Sequence, residues 1–477
     1  MTRNRNSVTL ALTALALAGC VNLAPDHVQP ELSTRPAYDP EYRPDGTVIA
    51  SELAWQDFFA DPRLRALIQV ALDNNRDLVA ATARVEQARA QFRIEDSDRL
   101  PNVGASASAT RSRTSLQSLS GTDTDSGGSV TNDRLQVGVA SSSFELDFWS
   151  RIKNQSEAAR AQYLATEAAQ RSFYLSLIGD VASTYYQLVE THEQIELAEA
   201  TAESRREGLR IAQLRLDGGV TSALPYRQSE TLLTQAEQEL AAQRLSEAQL
   251  RNQLAVLVGG RIPQDLPDGL PLEVTEDEPM LAAGLPSDLL LVPPDIIAAE
   301  ENLRAARANI GAARAAFFPT ISLTGNAGFA SNSLGNLFGG DSLTWSFGPS
   351  IDLPIFDWGA REAQLDLASA LEVEEVANYD LTVQNAFREV SDALAARRWL
   401  AEQVATLERG QAAQAEIARI ARARYREGVA DYLEVLDAER NLFSAQQALL
   451  SMRRANRQNS AALYIALGGG QGELRAD

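Results

Sequence analysis

The chain has little of what most catalytic sites are built from: one cysteine and two histidines in 477 residues. Disulfides within the chain are impossible, and neither His27 nor His192 stands at a spacing from carboxylates or cysteine that suggests a metal site or a triad. Both read as isolated, His192 as a surface residue on a charged helix. No nucleophile motif or phosphate-binding glycine loop occurs, and Gly468–Gly470 reads as a helix terminus because neither lysine nor a new helix follows. An enzyme, a cofactor and a resident metal are therefore not expected. Positive charge is also short. The formal net charge of −21 repels nucleic acid and gathers cations. After residue 20 no uninterrupted run of about 18 apolar residues occurs, so membrane insertion must use strands.

The lone cysteine closes a processing signal. Arg3 and Arg5 precede an apolar run from Val8 to Leu17, which ends in Leu17-Ala18-Gly19-Cys20. Roughly ten apolar residues are too few to span a bilayer and form the core of a secretory signal. Leu-Ala-Gly-Cys resembles the bacterial lipobox, in which the cysteine is lipidated and becomes the new N-terminus. Val21-Asn22 lacks the Asp that commonly retains such lipoproteins at the inner membrane, which favours the outer membrane.

What the chain does have is a second half that repeats its first. An offset of 209 residues carries Gly219-Val220 onto Gly428-Val429, Glu230 onto Glu439, Leu254 onto Leu463 and Trp149 onto Trp358. Upstream the offset is 218, carrying Asp77 onto Asp295 and Pro101 onto Pro319. Such a unit buries its apolar face on its neighbours, which suggests a tube of equivalent staves. Proline is missing from Asn102 to Leu224 and after Pro354, yet seven fall between Pro263 and Pro294. Long regular elements fit the first two regions, and a connector of short elements fits the third.

Four segments alternate with period two. In Leu343–Ile355, Leu343, Trp345, Phe347, Ile351 and Leu353 share one face, with Thr344, Ser346 and Ser350 on the other. Pro319–Ser331 does the same, while Pro101–Arg113 and Arg134–Phe148 alternate more weakly, the last with a phase shift that places a bulge near Ser141–Ser143. Thr114–Asp133 and Asn332–Ser342 read as exposed loops. Each segment is long enough to cross an outer membrane, apolar side to lipid. Four strands cannot close a barrel, because unpaired backbone is forbidden in lipid and the smallest barrels have about eight strands. Two copies would make a cramped barrel, so a conduit favours three copies and twelve strands. Ser150–Asp217 and Ala360–Glu427 are rich in helix formers and about 100 Å long as helices. Shorter returning helices follow at Ala223–Val258 and Asp431–Ala466. Pro62–Arg99 and Asp295–Phe318 read as one helix each, running back into the strands.

These stretches resemble the outer membrane efflux protein (TolC) family, in its lipidated OprM/NodT-like branch. The resemblance covers nearly the whole mature chain and is carried by Trp55–Leu67, Ala71–Ala90, Phe318–Gly325, Leu353–Gly359 and Ala423–Asp437. It implies an α+β membrane protein: a homotrimer with a 12-stranded outer membrane β-barrel continuous with a 12-helix periplasmic α-barrel. The organisation follows as a signal peptide at 1–19, a lipidated segment and equatorial linker at 20–61, and a first repeat at 62–262 with its hairpin at 101–148. A Pro-rich equatorial connector at 263–294, a second repeat at 295–467 with its hairpin at 319–355, and a tail at 468–477 complete it. The implied function is a passive exit duct of a tripartite (RND-type) pump, exporting small toxic compounds or drugs. Its implied partners are a periplasmic adaptor, an inner membrane transporter and outer membrane lipid. Peptide or protein secretion through the same duct and a non-conducting envelope tether are the rival readings.

The resemblance also assigns residues. Leu433, Glu434 and Asp437 match the family's periplasmic gate, an apolar ring with acidic rings, and their spacing lets all three share one helix face. Tyr425 matches a residue that latches the tip shut. Its customary acidic partner is replaced here by Pro225. Arg215, Gly219, Val220, Arg424, Gly428 and Val429 match adaptor-contacting tips.

Overall fold

A computed structural model describes residues 21–30, 38–42, 46–115, 128–274, 279–282 and 293–470. The signal segment and Cys20 lie outside the described residues, as do parts of the first hairpin loop, the Pro-rich connector and the C-terminal tail. In chain order the main elements are α1 (Pro62–Asn74), α2 (Arg76–Ser97), β1 (Val103–Ser115), β2 (Ser129–Glu145), α3 (Arg151–Asp217) and α4 (Ala223–Leu257). They continue with α5 (Pro294–Ala315), β3 (Thr320–Ser331), β4 (Leu343–Asp352), α6 (Ala360–Arg426) and α7 (Tyr432–Ala466). The bounds of α3 and α4 recur in α6 and α7 at an offset of 209 residues, and those of α2 recur in α5 at 218. No helix among the described residues is long and apolar enough to cross a membrane.

The chain divides into two compact units that do not follow its order, each drawing segments from both halves. The first unit, residues 1–30, 86–165 and 300–378, holds one antiparallel sheet in the order β1-β2-β3-β4. The β2–β3 register shifts between Ser141 and Phe144, and Ser143 takes a left-handed φ of 51°. This is the bulge that the phase shift places there, and it restores Phe144 to register opposite Leu323.

Three boundaries differ from the sequence reading. Ser129–Asp133 and Thr114–Ser115 extend the first hairpin into the expected loop. The cross-strand pair of Arg111 and Asp133, 2.6 Å apart, helps hold that extension. β4 stops at Asp352 rather than Ile355, and Pro354 just beyond has no N–H to give a ladder. The stretch read as one helix from Pro62 is two, α1 and α2, broken at Asn75. Its carboxamide donates to the Leu257 carbonyl at 2.8 Å and accepts the Leu78 N–H at 2.9 Å, so the side chain starts a new helix as an N-cap.

An extended strap, Val21–Pro30, also belongs to the first unit. Val21 N–H donates to the Phe148 carbonyl at 3.1 Å. Arg314 and Arg307 donate to the carbonyls of Leu23 and Val28 at 3.0 and 2.7 Å. Gly311 admits the strap, since a Cβ there would stand 2.7 Å from that of Ala24. His27, read as isolated, instead contacts Glu300 at 3.2 Å and Arg307 at 3.1 Å. A fold-level contact 273 residues away leaves no trace in local spacing.

The second unit, residues 31–85, 166–299 and 379–477, buries the larger core. Tyr464 on α7 is fully buried, its ring stacked 4.1 Å from Phe58 and its hydroxyl donating to the Leu53 carbonyl at 2.6 Å. Asp61 is a polar hub of the same core. Its carboxylate caps α1 through the N–H groups of Arg63 and Leu64 at 2.8 and 3.1 Å. It also accepts the Tyr185 hydroxyl at 2.7 Å and the Leu270 N–H at 2.9 Å. Four donors satisfy a nearly buried charge that would otherwise be costly. Burial, then the neighbouring carboxylate, pushes the Tyr185 phenol up, so it stays a donor.

Candidate functional site at the helical hairpin tips

Both tips lie in the second unit, where α3 turns into α4 and α6 into α7. At the first, Gly219 N–H bonds the Leu216 carbonyl and Val220 N–H that of Arg215, each at 3.0 Å. At the second, Gly428 bonds Tyr425 and Val429 bonds Arg424, again at 3.0 Å. This paired closure requires the residue after the helix to be left-handed, and Gly219 and Gly428 have φ of 69° and 75°. Each turn leaves a valine at its apex, Val220 and Val429, about two-thirds or more exposed. The turns restart differently. Asp431 caps α7 by accepting the Leu433 N–H, whereas Ser222 makes no side-chain cap to α4.

The second tip has an inward and an open face. Val435, Leu436 and Ala438 are buried, and Val435 and Ala438 pack on Ala418 and Ala421 of α6. Leu433 is 45% exposed, and Glu434 and Asp437 are also partly open, so the three share the face turned away from this packing. The acidic groups are both paired, Glu434 across the turn and Asp437 one helical turn along α7. Glu434 meets Arg424 at 2.5 Å and Asp437 meets Arg440 at 3.1 Å.

Tyr425 bridges the two hairpins. Arg215 of α3 donates from Nη1 to the Tyr425 hydroxyl, and its guanidinium carbon lies 5.3 Å from the ring centre, a cation–π arrangement. The same ring sits 4.9 Å from Tyr432, tilted by 47°. Tyr432 in turn bonds the Ser229 side chain of α4, and burial, the dominant cause, pushes its phenol up, keeping it protonated. Its hydroxyl packs over Gly208, where a Cβ would approach to 2.4 Å. Arg215, expected only as a tip contact, is therefore a direct partner of Tyr425. Tyr432, Ser229 and Gly208 were missed. The one available signal was a pair of tyrosines seven residues apart across the turn.

A model of the outer membrane efflux protein family matches the chain over residues 67–260 and 285–469. The chain belongs to the outer membrane efflux protein family. It is 41% identical over 473 residues to the probable efflux pump outer membrane protein TtgC of Pseudomonas putida, spanning 98% of this chain and 96% of that one. The cation efflux system protein CusC of Escherichia coli K12 is 39% identical over 466 residues, covering 96% and 98%. The open-state MtrE outer membrane channel of Neisseria gonorrhoeae superposes with a TM-score of 0.84 at 38% identity, over 94% and 98% of the two chains. This efflux protein is an outer membrane exit duct with a large periplasmic portion, and its family works as channels.

Proposed function

We propose that three copies close a twelve-stranded barrel, that Leu433, Glu434 and Asp437 ring its periplasmic gate, and that the duct passively releases small toxic compounds delivered by a pump. The observation that carries this reading is the four-stranded sheet, in which, among the described residues, β1 and β4 each have a strand on one side only. Lipid supplies no partner for those edges, so neighbouring copies must. Exposed Val220 and Val429 at the tips suit an apolar contact with a periplasmic adaptor, which would hand over cargo from an inner membrane transporter. Relatives are named for toluene, antibiotic and cation efflux. With a duct that selects little, the cargo here is set by the pump. Cys20 is proposed as the lipid anchor.

Gate variants test the ring. Leu433→Ala removes bulk and should raise single-channel conductance. Asp437→Asn removes three charges from the assembled pore and should lower cation preference, while Arg440→Gln, freeing those charges, should raise it. Both charge effects should shrink in about 1 M salt, where the Debye length is about 3 Å. Bilayer recordings in low and high salt check this. Unchanged conductance and selectivity in all three variants would place the gate elsewhere.

A further inference from the structure

Between the root of the helical hairpins and their clasped tips lies a buried arginine with no counter-ion. Toward the root, α3 and α7 are joined by polar groups that satisfy one another. Gln458 donates to the Ser183 hydroxyl at 2.8 Å, Ser451 to the Glu190 carboxylate at 2.5 Å and Gln447 to the Gln194 side chain at 3.3 Å, while Arg454 pairs with Glu190. At the tip, Arg215 holds Tyr425. Arg205 stands about 15 Å along α3 from Arg215 and is 6% exposed. One turn to either side of it, Ala202 and Leu209 form an apolar cluster with Leu233 and Ala236 of α4.

The surroundings of this cation compensate it poorly. Nη1 donates to the Leu232 carbonyl of α4 at 2.8 Å, Nε is buried without a partner, and the guanidinium carbon lies 5.3 Å from the ring centre of Phe443 on α7. The exposed neighbour Arg206 pairs with Glu203 and Glu237 at 2.6 and 3.2 Å. Arg205 has no such pair among the described residues: Glu439, the carboxylate whose charge acts on it favourably, is held by Arg422 at 2.9 Å. Burial pushes the Arg205 guanidinium down from the usual arginine range, yet arginine keeps its proton inside proteins. A charge shut away from water with one backbone acceptor and one ring is unfavourable where it sits. Because the ring that covers it belongs to α7, lifting α7 off α3 is the movement that returns water to it.

We infer that Arg205 is a loaded charge that drives the two hairpins apart, so that the clasp of Arg215 on Tyr425 holds the tip closed against it. The inference rests on reading the tip as the gate, and Leu433→Ala is the control for that reading. The sign of the effect decides the role. An arginine that tied the hairpins together through Leu232 and Phe443 would, once neutralised, let the tip open more; a loaded charge, once neutralised, lets it close. Arg205→Met suits the apolar surroundings and Arg205→Gln keeps a donor for the Leu232 carbonyl, so folding does not hang on one substitution. Both are made in the full chain, alone and together with Arg215→Ala, and single channels are recorded in planar bilayers. On the Arg215→Ala background each neutral variant should lower the open probability at least about threefold, a modest share of what an uncompensated buried charge costs. Open probability equal to or above that of Arg215→Ala alone, beside raised conductance in Leu433→Ala, would overturn the loaded charge and leave the gate standing. No change in Leu433→Ala either would overturn both.

Discussion

Replacing Arg215 with alanine should open the channel. The guanidinium reaches from the first hairpin to the second, giving Tyr425 both a hydrogen bond and a cation over its ring. At an exposed tip the cation–π contact contributes about 0.5–1 kcal/mol, and the neutral-ring hydrogen bond adds a similar net amount. In the proposed trimer three symmetry-related clasps at the low end of these ranges contribute about 3 kcal/mol, which moves a closed–open equilibrium on the order of a hundredfold. Tyr425→Phe keeps the ring and loses only the hydroxyl, so its effect should be smaller. Arg215→Lys should lie between them, since an ammonium keeps the charge and loses the planar fork. Single-channel recordings rank the three variants. Equal conductance in Arg215→Ala and wild type would mean that the clasp does not hold the tip.

Cys20→Ser should reduce palmitate incorporation to background. The sequence of Leu17–Cys20 offers no other acylation site, because this is the chain's only cysteine. The residue after it, Val21, is bonded to Phe148, three residues beyond the end of β2. Arg314 and Arg307 then fix the strap along α5. The strap contacts do not involve the acyl group, so Arg307→Ala should label normally while loosening the strap. Metabolic labelling of both variants measures this, and a labelled serine variant contradicts the lipid anchor.

Much of the fold was legible because it is periodic and repeated. Apolar alternation located β1–β4, the phase shift at Ser141–Ser143 located the bulge, and glycine at 219 and 428 marked the turns, since only that residue enters the left-handed cap at little cost. Helix ends fell within a residue or two of expectation wherever such a cap stands. Legibility failed where a side chain reaches across the chain. Asn75 divides a helix by bonding Leu257, and His27 finds Glu300. The tip was half legible. Leu433, Glu434 and Asp437 share a face, and Arg440 pairs with Asp437 at i,i+3 as helical spacing allows, but Arg424 reaches Glu434 from across the turn, as Arg215 reaches Tyr425 from the other hairpin.

The measurement closest to the central claim is the particle mass of the mature protein purified in detergent, by light scattering with the detergent contribution removed. Four strands with two open edges predict a stable particle of three chains. A monomer that keeps its full strand content would contradict the channel architecture.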